Sequence, residues 1–186
     1  MIDPAQQLQS LVERERAGES LELTFFWTHE SDDHTTVGRE CFSQWWVAPF
    51  DVDGRTYLTA EHWMMAEKAR VFGDRESESA VLGVASPAEA KALGRGVRGF
   101  DSAVWAEHRF DVVVRGNAAK FAQHPALGRV LDGTGDSTLV EASPDDLIWG
   151  IGFAEDDPAA ASPRAWRGLN LLGFALVQAR AVLRGR

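Results

Sequence analysis

A chain of 186 residues is the size of one domain, and with 45% hydrophobic and 25% charged residues it can bury a core without disulfides or a structural metal. Its formal charge of −9 excludes broad, sequence-independent binding to nucleic acid, which depends on neutralising phosphates. Cys41 is the one cysteine, so a disulfide framework and a thiolate zinc site are excluded and a reducing cytoplasm is the expected compartment.

No charged-then-apolar leader opens the chain, and it contains no apolar run of roughly eighteen residues that would span a bilayer. Asp3-Pro4-Ala5-Gln6 reads as N-cap, first-turn proline and capping-box partner of a helix that ends at Gly18. Residues 1–20 are accordingly read as a helical extension and residues 21–186 as the domain. Leu21 to Trp27 has strand composition, His29 to Glu40 is a polar loop, and Cys41 to Val47 reads as a second, aromatic-rich strand. Asp53-Gly54 signals a hairpin turn.

The stretch from Thr59 to Lys68 is the centre of the reading. Thr59 is a natural N-cap, and Glu61 falls in the first turn, where the helix dipole favours negative charge. Lys68 lies two turns on, about 10 Å along the axis, and its arm leans back toward Glu61. A salt-bridged, solvated face is the plain interpretation. A carboxylate and an amine converging on one substrate atom is the functional one.

Gly73-Asp74 ends this helix and a polar stretch follows. Ser86-Pro87-Ala88-Glu89 then opens a short helix through Leu93. Gly94-Arg95-Gly96-Val97-Arg98-Gly99 spells G-x-G-x-x-G but follows a helix instead of a strand, so it is no dinucleotide fingerprint. It is a helix stop and turn, or a loop whose arginines hold a phosphate. Asp101 or Ser102 caps a longer helix from Ala103 to Ala122, and Pro125 opens another that stops at Gly133. Asp132 to Glu141 fails as a calcium loop, with Thr134 and Ser137 where an acid or amide and a glycine are needed. A short strand over Leu139–Ala142 and a turn at Asp146 lead to Trp149-Gly150-Ile151-Gly152. Asn170 is expected to cap a last helix, Leu171 to Leu183.

HExxH, Walker and G-x-S-x-G motifs are absent, and among five scattered histidines His62 suits a structural role. What remains fits a nucleotide: arginines for phosphate, rings for a base, carboxylates for a sugar.

In this setting the chain resembles the NADAR or YbiA-like family. The matching pieces are Phe26-Trp27, Phe42-Ser43-Gln44-Trp45-Trp46, Asp53-Gly54 with Tyr57-Leu58-Thr59-Ala60-Glu61-His62, Ala66-Glu67-Lys68 and Gly94-Arg95. They continue through Trp105, Asn117 with Lys120-Phe121, Leu139-Val140-Glu141, Asp146 to Gly152, and Gly168-Leu169-Asn170-Leu171-Leu172-Gly173. Many members carry Asn where this chain has Gln44. The resemblance implies a mainly α fold, an α+β domain with small antiparallel β elements, compact and single. It also implies cleavage of an N-glycosidic bond at a ribose.

The substrate it implies is a small-molecule nucleotide, a phosphoribosylated pyrimidine intermediate of riboflavin synthesis, or an ADP-ribosylated guanine. Nucleic acid then enters only as the carrier of a modified base, with no membrane, metal or cofactor. Glu61, Lys68 and Asp146 are the catalytic candidates. Glu61 is the ionised carboxylate, Lys68 a Schiff-base nucleophile or an electrostatic partner, and Asp146 a ribose ligand, proton handler or turn cap. Trp105 and Trp149 are expected to stack on the base or exclude water, Arg95 to bind phosphate, and Asn170 to bind substrate or cap its helix. Gln44, Trp45 and Gly150 complete the substrate-binding set. A non-catalytic ADP-ribose or NAD module is the competing class.

Overall fold

Asp53 and Gly54 both take positive φ, 52° and 76°, the conformation a two-residue I′ hairpin requires. They join β2 (Phe50–Val52) to β3 (Arg55–Tyr57) in an antiparallel pair, with Phe50 opposite Tyr57. The computed structural model describes residues 3–29 and 37–185. It is mainly α with small β elements, and it divides into two compact units, Gln44–Pro125 and Met1–Ser43 with Ala126–Arg186.

The unit from Gln44 to Pro125 is built around α2 (Ala60–Val71). An amphipathic helix shows one apolar stripe, whereas α2 buries nine of its residues, from Ala60 without a break to Ala66. It can do so because α3 (Arg75–Gly83), α4 (Pro87–Arg95) and α5 (Ser102–Gln123) all pack on it. Two glycines set those distances. A Cβ on Gly94 would lie 2.0 Å from Met65 Sδ, and one on Gly116 would lie 2.2 Å from Trp63 Cδ1. Gly94, expected to stop its helix, therefore sits inside the last turn of α4 and serves close packing. The stretch after Asp74, read as merely polar, is the helix α3. Asp74 caps it by accepting from the Ser77 amide and hydroxyl, and Glu76 and Glu78 favour its first turn.

The second unit holds α1 (Pro4–Arg16), β1 (Leu23–Phe26), β4 (Thr138–Glu141) and α7 (Leu171–Arg184). The β1–β4 pair is parallel, from Leu23 opposite Thr138 to Phe26 opposite Glu141, so among the described residues only the hairpin is the expected antiparallel kind. The expected strand over Cys41–Val47 is absent. A 3-10 turn spans Arg39–Phe42, with Cys41 and Phe42 both buried, which a half-buried strand's alternation does not allow. Residues 30–36 of the expected His29–Glu40 loop lie outside the described residues. The aspartates at the end of α6 (Pro125–Gly133) and just beyond it are answered by cations of α7: Arg184 pairs with Asp132 and Asp136, and Arg180 donates to the Ser137 carbonyl.

Helix α7 approaches β4 through Gly173, where a Cβ would stand 2.0 Å from the Leu139 carbonyl oxygen and 2.6 Å from the Asn170 amide. Gly173→Ala gains at most about 1 kcal/mol of helix propensity but forces backbone apart, an overpacking cost of about 1–3 kcal/mol or more. The expected outcome in urea denaturation is a lowered midpoint with an unchanged slope.

Candidate active site

Thr59 caps α2 through the His62 amide. Its hydroxyl also meets His62 Nδ1 at 2.8 Å, while Nε2 reaches the Val84 carbonyl at 3.2 Å. The carbonyl can only accept, so Nε2 carries the hydrogen and the Thr59 hydroxyl donates to Nδ1. Burial holds the His62 pKa below its usual value, against the opposing Val84 bond. His62 is thus the satisfied structural residue that was expected.

Glu61 is 3% exposed, not on a solvated face. Its backbone amide, one of the orphan donors of the first turn, donates to the Gln44 carbonyl at 2.9 Å. Gln44 is fixed in turn by Asn117 of α5, whose Nδ2 donates to Gln44 Oε1 at 3.1 Å and to the Val113 carbonyl at 2.9 Å. The Val113 carbonyl decides which end of the Asn117 amide faces it, and that end decides the orientation of Gln44. Gln44 Nε2 and Asn117 Oδ1 are left buried without a hydrogen-bond partner. Asn117 was not singled out for a role from sequence. The available signal was an asparagine in mid-helix, where its propensity is poor.

Lys68, 9% exposed, donates from Nζ to the Gly94 carbonyl at 2.7 Å and lies 4.0 Å from the centre of the Phe100 ring. Gly94 is in the last turn of α4, so the ammonium satisfies a carbonyl at the negative end of that helix. Burial pushes the Lys68 pKa down, the Arg95 charge adds to that, and Glu61 opposes it. Arg95 and Glu61 therefore both lie within electrostatic reach of the Lys68 amine. Arg95, the residue expected to bind phosphate, is exposed. Arg98, its companion in the glycine run, is already committed to Asp74 at 2.6 Å and Glu76 at 2.9 Å, and its bonds hold the Asp74 carboxyl well below the usual range. Trp45 is half-buried with Lys91 Nζ 5.8 Å from its ring. Trp105, expected to stack on a base, is only 8% exposed and belongs to the core.

In the second unit Asp146 Oδ1 accepts from the Ile148 and Trp149 amides at 2.8 and 2.7 Å. That is the turn-capping role; it occupies one carboxylate oxygen and leaves the other side of the group for other work. Trp149 is half-buried. Gly150 threads a space where a Cβ would stand 2.9 Å from the Glu141 carbonyl oxygen and 3.0 Å from that of Asp146. Asn170 precedes α7 in the left-handed region, at φ 52°, and its side chain caps nothing. Its amide clamps β4 instead, accepting from the Glu141 amide at 3.0 Å and donating to the Leu139 carbonyl at 2.9 Å. The α7 amides of Leu171 and Leu172 are met by the Ile148 and Trp149 carbonyls, which is why no side-chain cap is needed. Asn170 therefore ties the Asp146–Gly150 turn, β4 and α7 into one piece.

Gln44, Glu61, Lys68 and Arg95 are thus gathered on α2 and its neighbours, and Asp146, Trp149, Gly150 and Asn170 are gathered in the other unit. Among the described residues no cluster of His, Cys, Asp and Glu has the form of a metal site, and no helix is long and apolar enough to cross a membrane.

Residues 25–184 match the model of the NADAR domain. The chain is 40% identical over 149 residues to N-glycosidase R617 of Acanthamoeba polyphaga mimivirus, covering 77% of this chain and 88% of that protein. It is 31% identical over 153 residues to N-glycosidase YbiA of Escherichia coli (strain K12), covering 82% and 84%. The maize chloroplastic riboflavin biosynthesis protein PYRR is 35% identical over 137 residues, which is 70% of this chain and only 20% of that protein. The NMR structure of E. coli YbiA superposes with a TM-score of 0.69 at 29% identity, over 88% of this chain and 85% of that one.

Proposed function

The chain belongs to the NADAR domain family, and from that premise we propose that it is an N-glycosidase acting on the ribosyl–base bond of a phosphoribosylated or ADP-ribosylated nucleobase. The observation that carries the reading is a carboxylate and an amine buried on one helix, Glu61 and Lys68. Burying such groups costs several kcal/mol per ion in desolvation, and a packed apolar pair would serve stability better. Perturbed, buried ionisable groups gather where chemistry is done.

In the proposed reaction the bond between the anomeric carbon and the base nitrogen breaks. The base leaves with a proton, and a water oxygen bonds to the carbon. Positive charge develops on the sugar, and a carboxylate fixed beforehand stabilises it without reorganising. Glu61 takes this role, held by the Gln44 carbonyl at its amide. The lowered Lys68 pKa gives the amine a larger neutral fraction, which a Schiff-base nucleophile needs. If it remains charged, it acts on substrate oxygens. Arg95 meets a phosphate, and the carboxylate oxygen that Asp146 keeps outside its turn leaves that group able to take a ribose hydroxyl or a proton. With its amide committed to β4, Asn170 positions the Trp149–Gly150 turn and does not itself grip substrate. A reducing cytoplasm suits the lone, buried Cys41.

Between the two substrate classes, the net charge of −9 and the naming of the maize relative for riboflavin biosynthesis support a free phosphoribosylated pyrimidine. The test is incubation with such a nucleotide and, separately, with DNA carrying ADP-ribosylated guanine, followed by chromatography of the free base. Release from the nucleotide alone is expected. Tight ADP-ribose binding with release from neither would favour a non-catalytic binding module.

A further inference from the structure

A flat base needs a flat, accessible partner, and the tryptophan expected to provide one on this unit, Trp105, is sealed in the core. Phe100 is 45% exposed and sits directly on the catalytic amine, its ring centre 4.0 Å from Lys68 Nζ. We propose that Phe100 is the aromatic platform of the site, stacking the nucleobase of the substrate against its outer face while its inner face covers Lys68. This rests on the N-glycosidase reading for its substrate class.

The local sequence explains why this phenylalanine cannot bury itself. Gly99 takes φ 71°, a left-handed turn that reverses the chain after α4. Asp101 is pinned as the cap of α5, accepting from the Ala103 and Val104 amides. Phe100 is held between these two points, and Phe72 at the end of α2 buttresses it edge-on, with ring centres 5.4 Å apart and planes at 67°. The ring thus contacts Lys68 and Phe72 while the residue stays 45% exposed. A single exposed apolar residue needs no explanation by itself. This one is distinguished by its contact with a buried amine and by the company of that amine, since both Arg95 and Glu61 act on the Lys68 charge.

These groups fit one ligand chemistry. A ring stacks on Phe100, a phosphate faces the exposed Arg95, and the sugar between them falls to Glu61 and Lys68. Stacking tolerates any base, because every base has a π-face. Phe100 thus supplies affinity for the base without selecting its identity.

The test compares binding of GMP with binding of ribose 5-phosphate, by calorimetry, in wild type, Phe100→Ala and Phe100→Trp. Wild type is expected to bind GMP more tightly, and Phe100→Ala to lose about 10- to 100-fold for GMP alone, the value of one stacked base. Phe100→Trp is expected to keep the advantage. An equal loss for ribose 5-phosphate would show that the ring supports sugar or fold and would overturn the assignment, as would a base increment that survives Phe100→Ala or is absent from wild type. Thermal melts of each variant separate misfolding from lost contact. Absence of base release from a wild type that still shows the Phe100-dependent increment would sink the N-glycosidase reading and leave the platform standing.

Discussion

Glu61→Gln is expected to lower the rate of base release by at least about a hundredfold, in the range seen when a fixed group facing transition-state charge is removed. Ligand affinity should stay within about threefold, less than 1 kcal/mol. The substitution keeps the length of the side chain and the backbone bond from the residue-61 amide to the Gln44 carbonyl, so the helix start is undisturbed. What it deletes is the negative charge, which matters most when the anomeric carbon becomes positive. Turnover at the wild-type rate would remove Glu61 from the mechanism. A matched loss of binding would recast it as a ligand contact.

The second large effect concerns Lys68, where activity and stability are expected to move in opposite directions. The folded protein holds this amine below its ordinary pKa, chiefly by burial. The unfolded chain therefore binds more protons between the folded pKa and about 10.5, and stability rises with pH across that window. Below the folded pKa the penalty of burying the ammonium is carried in full. Lys68→Met, of similar length and uncharged, removes that penalty but forfeits the bond to Gly94 and the contact with Phe100. The expected result at neutral pH is a Tm equal to or above wild type, at about 2–4 °C per kcal/mol for a chain of this size, with turnover abolished. The difference in Tm should shrink as pH approaches 10. Lys68→Arg separates the two proposed roles: partial activity supports an electrostatic partner, and none supports a nucleophile, since arginine stays protonated. A Lys68→Met protein with normal turnover would contradict both roles.

Local signals carried much of the fold. Thr59, Ser86, Asp101 and Pro125 each open the helix their chemistry announces, and Asp53-Gly54 makes the hairpin turn. The failures came where long-range contacts overrule local grammar. Phe42 and Cys41 are apolar because both are buried in a tight turn, and a run of apolar residues does not distinguish that from a strand. Gly94 looks like a helix stop but is glycine because Met65 occupies the place of a Cβ. Asn170 looks like a cap, yet its partners are in β4, about thirty residues away in sequence, and only the fold brings them to it.

The site was legible to a similar depth. The Glu61–Lys68 spacing is fixed by the helix, so its shared face followed from sequence, but burial of both groups required knowing that three helices surround α2. Trp105, expected to face a base, lies in the core while Phe100, which drew no notice in the sequence, is exposed, because exposure depends on packing and not on residue type. Asn117 acts through Gln44 across two elements, a relation that no local pattern encodes.

Product stoichiometry tests the central claim most directly. With a phosphoribosylated aminopyrimidine as substrate, wild-type protein is predicted to yield one free base and one phosphorylated ribose per molecule consumed, catalytically in protein, while Glu61→Gln at the same concentration yields both at least about a hundredfold more slowly. Substrate that is bound but recovered intact, or base released equally by the two proteins, would contradict it.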